Sequence, residues 1–327
     1  MSKNILLSIC IPTYNWPKKL KQLLKNIISQ NSSDIEIVIG DDSNNLKTKE
    51  MIRNDFSMKQ VRYYRNKHKE ISHKSSLNFD KNVLSITKKA RGKYVWWFGD
   101  EEIKPGAITY VLNIIKKNPE ISLIWINFRG LNNLLPARNF GGDKFFKDKN
   151  YVLEEISNEL GFLSSIVFKK DKILNINTDN MNRFIGSGFI NIYLVMHILS
   201  QEGKFYYIDY PYIICHPTPI EKHSYGGFEV FGINFYHIVR NFENQFKRKS
   251  IKKMLAKNFG HVWRGILVCW LKGYDTPKGK FKNMFKFYWN FPEFLIAGPL
   301  FLMPKFVTKF FYFVYKKILR RVYGRLK

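Results

Sequence analysis

Gly92-Lys-Tyr-Val-Trp-Trp-Phe-Gly-Asp-Glu-Glu102 is the stretch that decides the fold of this 327-residue chain. Residues 94–98 are apolar or aromatic without interruption, which is the composition of a strand buried on both faces of a sheet. Gly99 ends the run, and three acids follow directly: Asp100, Glu101 and Glu102. The pattern predicts a central strand that carries three carboxylates at its C-terminal end.

These clustered carboxylates do not favour folding, because like charges repel and each one loses hydration beside a buried strand. A divalent cation that bridges to a diphosphate would explain them, since Mg²⁺ and Mn²⁺ prefer hard oxygen ligands. Asp100, Glu101 and Glu102 are therefore the candidate metal ligands. The alternative is a solvated acidic turn that binds nothing.

Composition indicates a folded protein with one large domain and an appendage. Hydrophobic residues make up 45% and aromatic residues 16% of the chain, which excludes global disorder. The three cysteines are far apart, so they predict neither a disulfide framework nor a thiolate metal site, as expected in a reducing cytoplasm. The apolar run near the N-terminus meets Pro12 and Asn15 too early for a signal peptide.

The net charge of +28 is concentrated at the C-terminal end. Residues 247–327 contain twenty Lys and Arg against two acids, Asp275 and Glu293. A basic segment of this length predicts a polyanionic partner, either a nucleic acid or an anionic membrane.

Strand-like and helix-like patterns alternate through the first 126 residues. Pro17 occupies a helix N1 position, and leucines and isoleucines follow it at i, i+3, i+4 and i+7. The alternation predicts an α/β domain with a largely parallel sheet. The predicted strands are residues 6–11, 35–39, 61–64, 94–98 and 123–126.

Polar clusters follow three of these strands: Thr13-Tyr-Asn15, Asp41-Asp42 and Asp100-Glu-Glu102. In parallel sheets, ligands bind beyond the C-terminal strand ends, so the clusters are expected to meet at one rim. Neither a G-x-G-x-x-G nor a Walker A pattern occurs in these turns, so the sequence supports neither a classical dinucleotide site nor a P-loop.

Ser8-Ile-Cys-Ile-Pro-Thr-Tyr-Asn15, Ile37-Val-Ile-Gly-Asp-Asp-Ser-Asn44 and the 92–102 segment resemble successive motifs of family 2 glycosyltransferases. The resemblance is to the abequosyltransferase-like branch, which acts in bacterial O-antigen and surface-polysaccharide synthesis. It covers about the first 110 residues. It implies a GT-A fold, which is Rossmann-like with helices flanking a mostly parallel sheet. It also implies inverting transfer from a nucleoside diphosphate sugar with Mg²⁺ or Mn²⁺.

By this resemblance, Asp42 accepts a hydrogen bond from a pyrimidine base. An ionised Asp only accepts, which favours the N3–H of UDP or dTDP over CDP. Asp100 would lie near the ribose or metal, and Glu101 would be the closest metal ligand. The alternatives are a turn or cap for Asp41-Asp42 and a helix cap for Asn78. The predicted donor-binding residues are Pro12, Thr13, Tyr14, Asn15, Asp41, Asp42, Asn78 and Asp100.

The catalytic base has the weakest signal. Relatives place an acidic pair where this chain reads Ile185-Gly-Ser-Gly-Phe-Ile-Asn-Ile-Tyr193. Asp179 is the nearest carboxylate and the candidate base, with an ordinary turn residue as the alternative. His223, beside the Gly226-Gly227 hinge, is the second catalytic candidate and would touch the diphosphate or metal. The alternative for His223 is an exposed loop residue.

Residues 294–304 are uncharged but too short to span a bilayer. After them, the spacing places cations on one face of a helix and apolar residues on the opposite face. This pattern predicts an interfacial helix on an anionic membrane rather than nucleic-acid binding. The alternative is that the apolar stripe packs on the catalytic domain. The predicted cationic face is Lys305, Lys309, Lys316, Arg320 and Lys327, and the predicted apolar face is Val307, Phe311, Val314, Ile318 and Val322.

The sequence thus predicts a catalytic domain at residues 1–230 and a helical, basic, membrane-associating region at 231–327. The predicted enzyme is peripheral on the cytoplasmic face of a bacterial inner membrane and glycosylates a lipid-linked saccharide. A nucleotidyltransferase on a similar sheet and a nucleic-acid-binding protein are the alternatives.

Overall fold

The computed structural model describes residues 5–57, 61–66, 75–133, 135–216, 227–274, 276 and 278–323. Its described strands form one sheet in the order β3-β2-β1-β4-β8-β6-β9-β5, with β7 paired to β9. The strands are β1 (Leu7–Thr13), β2 (Ile35–Asp41), β3 (Val61–Arg65), β4 (Tyr94–Trp97), β5 (Glu102–Ile103), β6 (Ile121–Gly130), β7 (Lys144–Phe145), β8 (Ile166–Lys169) and β9 (Lys204–Cys215).

Helices cover both faces of this sheet. Short 3₁₀ helices lie at Ser157–Gly161, Leu163–Ser165 and Lys170–Ile173, and a π-helical segment lies at Phe228–Asn234. The α-helices are α1 (Pro17–Ile28), α2 (Lys47–Asp55), α3 (Ser75–Lys89), α4 (Ala107–Lys117), α5 (Lys149–Glu155), α6 (Thr178–Asn182), α7 (Ile190–Ser200), α8 (Phe235–Asn241), α9 (Arg248–Leu271), α10 (Phe281–Tyr288), α11 (Pro292–Leu302) and α12 (Lys305–Tyr323).

The predicted α/β class and all five predicted strands are confirmed. β1 pairs in parallel with β2 and β4, and β2 pairs in parallel with β3, so these strands share one C-terminal edge. β8 runs antiparallel between β4 and β6, whereas β6 and β9 are parallel. The mostly parallel part of the sheet therefore carries the predicted motifs.

β4 is buried on both faces, as its composition predicts. Val95 and Trp97 face the core that includes α3 and α7, and Tyr94 and Trp96 face the core that includes α1 and α4. Each indole N–H has an acceptor, because Trp96 Nε1 lies 2.7 Å from the Ser164 carbonyl oxygen and Trp97 Nε1 lies 2.7 Å from Thr87 Oγ1. The large aromatic area is buried without leaving a polar group unpaired.

The C-terminal helices extend this core rather than forming a separate one. The cluster that contains Trp97 continues through Phe259 and Trp270 of α9 to Phe301 of α11. A polar contact also joins the parts, since Ser250 Oγ donates to Glu154 at 2.8 Å. One apolar core thus crosses residue 230, the predicted domain boundary.

The C-terminal extension is helical, as predicted, and α12 occupies the position of the predicted interfacial helix. Over the described residues, no helix combines the length and the apolar character that crossing a bilayer requires.

Glu36 on β2 joins three neighbouring elements through one buried carboxylate. It accepts hydrogen bonds from Ser8 Oγ on β1 at 2.6 Å and from the Arg91 N–H at the end of α3, and it pairs with Arg62 of β3 at 2.8 Å. Burial alone would raise the pKa of Glu36, but the hydrogen bonds from Ser8, Arg91 and Arg62 together lower it below its ordinary value.

We predict that Glu36→Gln lowers the free energy of unfolding by about 3 kcal/mol at neutral pH, because Arg62 loses its buried partner. A carboxylate with a lowered pKa stabilises the fold above its ordinary pKa, and this contribution disappears as the pH falls through the folded value. Urea unfolding across a pH series should therefore show the variant converging on the wild type in acid.

Glu120→Gln is the matched control, because Glu120 forms an exposed ion pair with Lys204 at 3.1 Å, and exposed pairs contribute little. If the difference in unfolding free energy between Glu36→Gln and the wild type stays constant with pH, the ionised Glu36 carboxylate does not provide this stabilisation.

Candidate active site

The polar ends of the parallel strands meet at one rim, as predicted. The Asp42 backbone N–H after β2 donates to the Thr13 carbonyl at the end of β1, with an N–O distance of 3.0 Å. The Asn15 backbone N–H donates to Ser43 Oγ at 2.9 Å. Lys19 of α1 reaches Asp100 after β4, and their charged atoms lie 2.7 Å apart. The loops after β1, β2 and β4 thus form one continuous surface.

The loop of Pro12, Thr13, Tyr14 and Asn15 lies on this rim. Tyr14 is 56% exposed and presents its ring at the surface. Asn15 has φ 55°, a left-handed conformation that Asn tolerates better than most residues. Its side-chain carbonyl accepts from Asn45 Nδ2 at 3.0 Å. These contacts hold the loop next to the end of β2.

Asp41 and Asp42 have different roles. Asp41 is fully buried, accepting from the Ser43 N–H at 2.8 Å and from the Tyr63 hydroxyl at 2.6 Å. Both of its oxygens accept hydrogen bonds within the turn, as the turn alternative expects, and its role in donor binding stays a prediction.

Asp42 lies at the rim and accepts from Asn66 Nδ2 at 2.8 Å. The Asn66 N–H also donates to the Asp41 carbonyl at 2.9 Å, so Asn66 fixes the end of β2 from the end of β3. Sequence reasoning missed Asn66, whose only signal is its position directly after the third strand. Asn78 lies in α3, one turn before Asn82, which donates to the Gly40 carbonyl at 2.8 Å. Asn78 therefore lies on the side of α3 that approaches the end of β2.

The three acids after β4 face three different partners. Asp100 pairs with Lys19, and Glu101 accepts a hydrogen bond from Ser164, which in turn accepts from the Gly99 N–H at 2.8 Å. Glu102 begins β5 and lies with one oxygen 3.4 Å from His216 Nε2. Within the described residues, no group of three or more His, Cys, Asp or Glu side chains converges on one metal position.

Glu101 does not fit the predicted role of closest metal ligand. Its carboxylate folds back toward the protein, and a Cβ on Gly99 would lie only 2.6 Å from it. Burial raises the pKa of Glu101 to about 7. Asp100 and Glu102 are partly exposed carboxylates, which suit a cation that takes one or two carboxylates and completes its shell with phosphate and water. These two residues fit Mg²⁺ or Mn²⁺.

The predicted catalytic residues are not brought to the rim by described contacts. Asp179 is exposed in the first turn of α6, where Asn177 caps the helix by accepting from the Asn180 N–H at 2.9 Å. It stays a prediction. His223 lies outside the described residues.

Asp80 of α3 lies fully buried against the loop before α7, the segment that itself carries no acid. Its carboxylate accepts from the backbone N–H groups of Gly186, Gly188 and Ile190 at 2.8, 3.0 and 3.1 Å, and from Ser187 Oγ at 3.3 Å. Burial raises the pKa of Asp80 to about 6, although these donors oppose the rise. Sequence reasoning missed Asp80. Its signal is the Gly-Ser-Gly segment before α7, whose N–H groups need an anion that the segment itself does not provide.

Comparison with known proteins identifies the family of this chain. The model of the family described as Glycosyl transferase family 2 matches residues 8–174, just over half of the chain. The chain belongs to glycosyl transferase family 2. This membership confirms the predicted family.

Two relatives agree with the predicted branch. Abequosyltransferase RfbV of Salmonella typhimurium is 28% identical over 232 residues, which are 64% of this chain and 66% of the relative. The GalNAc(5)-diNAcBac-PP-undecaprenol beta-1,3-glucosyltransferase of Campylobacter jejuni is 28% identical over 178 residues, which are 52% of this chain and 53% of the relative. The chain thus spans between half and two thirds of the lengths of these relatives.

Solved structures confirm the GT-A fold class. The crystal structure of S. aureus TarS 1–349 superposes with a TM-score of 0.60 at 15% identity, over 90% of this chain and 82% of the TarS 1–349 chain. TarS 1–349 in complex with UDP-GlcNAc gives a TM-score of 0.60 at 14% identity, over 88% of this chain and 82% of the TarS 1–349 chain.

We predict that Asp80→Asn lowers the free energy of unfolding by about 2–4 kcal/mol, because one amide N–H₂ would then face backbone donors in a buried position. Urea unfolding measures the loss. Asp179→Asn, on the exposed surface of α6, is the control and should unfold like the wild type. If Asp80→Asn and Asp179→Asn have the same free energy of unfolding, Asp80 does not stabilise the loop before α7.

Proposed function

We propose that this chain transfers a sugar, with inversion, from a nucleoside diphosphate donor to a lipid-linked saccharide, and that it uses Mg²⁺ or Mn²⁺. The observation that carries the proposal is the rim itself. Asp42 and Asn66 lie at one end of it, Asp100 and Glu102 lie at the other, and hydrogen-bonded loops connect the two ends. A base at the first end and a diphosphate at the second would fit one extended donor.

Asp42 is the proposed base-reading residue. Its orientation is fixed by Asn66 and by its own backbone bond to Thr13, so its carboxylate is preorganised before a donor binds. An ionised carboxylate accepts from the N3–H of uracil or thymine but has no proton to give to cytosine N3. The exposed ring of Tyr14 lies on the same rim and is proposed to border the nucleoside.

Asp100 and Glu102 are the proposed metal ligands. A bound Mg²⁺ or Mn²⁺ would offset the charge that develops on the leaving diphosphate. Lys19 fixes the Asp100 carboxylate at the rim, and Ser164 keeps Glu101 turned away, so the chain separates the carboxylates that face the ligand from the one that supports the loop.

The acceptor is proposed from the names of the relatives, one of which acts on an undecaprenol-linked saccharide. A lipid-linked acceptor places the enzyme at a membrane, and we propose a peripheral location on the cytoplasmic face of the bacterial inner membrane. Asp179 remains the proposed base for the acceptor hydroxyl, by its position before the α7 loop.

The function is tested by donor hydrolysis and by transfer to an undecaprenyl diphosphate-linked saccharide, across UDP-, dTDP- and CDP-sugars. We predict that UDP or dTDP binds more tightly than CDP. Asp42→Ala should weaken UDP binding by about 10–100-fold, because one charged hydrogen bond is lost. Asp42→Asn should reduce the difference in affinity between UDP or dTDP and CDP, since an amide can accept a hydrogen bond from uracil or donate one to cytosine. Calorimetric titration measures both, and a wild-type preference for CDP would overturn the assignment of Asp42.

We predict that Asp100→Asn and Glu102→Gln each lower turnover by about 100-fold or more, with a higher Mn²⁺ concentration needed for half-maximal rate. Glu120→Gln, an exposed acid outside the rim, is the control. A Mn²⁺ titration of donor hydrolysis makes the measurement. Unchanged rates in both rim variants, together with full activity in EDTA, would exclude the proposed metal role.

A further inference from the structure

Exposed apolar side chains are concentrated on the C-terminal helices. Half of the large hydrophobic residues that the described structure exposes lie between residues 285 and 313, although this segment is a small part of the chain. Single exposed hydrophobic residues are normal, whereas a concentration of them marks an interaction surface. We define the C-terminal apolar surface as Phe285, Trp289, Leu295, Ile296, Leu302, Phe306, Phe310, Phe311 and Phe313.

α11 is apolar on two sides and buries only one of them. Phe294, Ala297 and Phe301 pack into the core that reaches β4. On the other side, Leu295, Ile296 and Leu302 are 60–76% exposed. The core therefore accounts for one side of this mostly apolar helix, and the exposed side needs a different apolar partner.

α12 continues the surface, mainly through phenylalanines outside the predicted stripe. Thr308 is fully buried, and its hydroxyl donates to the Leu300 carbonyl at 2.9 Å, whereas Val307 and Val314 are half-buried. Phe306, Phe310 and Phe313 are 64–76% exposed and lie at i, i+4 and i+7. In the described part of this helix, the outward aromatic residues are therefore Phe306, Phe310 and Phe313, together with Phe311 of the predicted apolar face, because burial of Thr308 fixes how the helix docks.

The charge around this surface has one sign. Among the described residues from 272 onward, the only acid is Glu293, which is partly buried. Phe310 directly follows Lys309, and Phe313 lies one helical turn after Lys309 on α12. Trp289, directly after α10, follows Lys286 by three residues. The exposed lysines of this region are Lys272, Lys278, Lys282, Lys286, Lys305, Lys309 and Lys317.

We propose that the C-terminal apolar surface inserts into an anionic phospholipid bilayer, with its lysines at the headgroups. Aromatic and aliphatic side chains between lysines match the boundary between headgroups and acyl chains, where Trp and Lys side chains are both favourable. A nucleic acid would leave the outward leucines, isoleucine and phenylalanines in water. A second copy of the chain would bring exposed lysines of this region close to those of the first copy, where like charges repel. This inference rests on the proposed function, since the membrane would also carry the acceptor.

Vesicle co-sedimentation across a salt series tests the proposal. The probes are phosphatidylglycerol–phosphatidylethanolamine vesicles and vesicles of phosphatidylcholine alone. Wild-type protein should bind the anionic vesicles, and Phe306→Ser with Phe310→Ser and Phe313→Ser should weaken that binding by at least about tenfold and remove the part that survives high salt. Lys282→Gln with Lys286→Gln and Lys309→Gln should remove the salt-sensitive part.

Leu135→Ser with Leu174→Ser is the matched control, since these residues are 72% and 70% exposed elsewhere on the protein. This control should bind like the wild type. A phenylalanine variant that sediments like the wild type overturns the proposal. So does a wild-type protein that binds a DNA oligonucleotide but no vesicle, or one that forms a dimer which the phenylalanine substitutions dissociate.

A second measurement does not depend on the triple variants. Trp289 is 56% exposed, so brominated lipid should quench part of the tryptophan fluorescence of the wild type, and Trp289→Phe should lose that quenched part. Equal quenching in both proteins contradicts insertion at α10.

Donor hydrolysis without vesicles separates the two proposals. Normal hydrolysis without vesicle binding rejects the surface and leaves the proposed function. Vesicle binding without hydrolysis of any sugar nucleotide rejects the proposed function and leaves the surface.

Discussion

Trp96 and Trp97 leave β4 on opposite faces of the sheet, and each must find an acceptor for its indole N–H because both side chains are fully buried. Trp96 finds the carbonyl of Ser164, and the hydroxyl of the same Ser164 binds the Gly99 N–H and Glu101. Ser164 thus accepts the hydrogen bond of a core indole and also sets the direction of the acidic turn. The packing of the central strand and the geometry of the rim therefore depend on the same residue, since moving Ser164 would disturb both.

That constraint explains why three adjacent acids can follow a buried strand. Like charges at this spacing would repel if all three faced one point without a cation. Lys19 draws Asp100 one way, Ser164 draws Glu101 inward, and Glu102 leaves on β5 beside His216. The carboxylates are separated by tertiary partners, and two of them remain partly exposed at the rim.

Local patterns predicted the elements of the fold, because apolar period and strand composition act within a few residues. The strands at 94–98 and 35–39 and the meeting of their ends followed from this. Asp80 did not, because its carboxylate lies 106–110 residues from the N–H groups it binds. Nothing near Asp80 in the sequence distinguishes it from a surface acid of α3. The inward turn of Glu101 was equally hidden, since Ser164, which turns its carboxylate, comes 63 positions later in the sequence.

The outward face of α12 shows a second limit, which comes from energetics rather than distance. Residues 305–314 are apolar at most positions between the lysines, so more than one orientation buries a similar apolar area. A single hydrogen bond can then decide which orientation the helix adopts. Thr308 can satisfy its hydroxyl on the Leu300 carbonyl when buried, and no phenylalanine offers such a bond. With Thr308 inward, Phe306, Phe310 and Phe313 must face outward, and the aromatic side of the helix becomes surface. A hydrophobic stripe alone therefore does not predict which side of an apolar helix packs against the core.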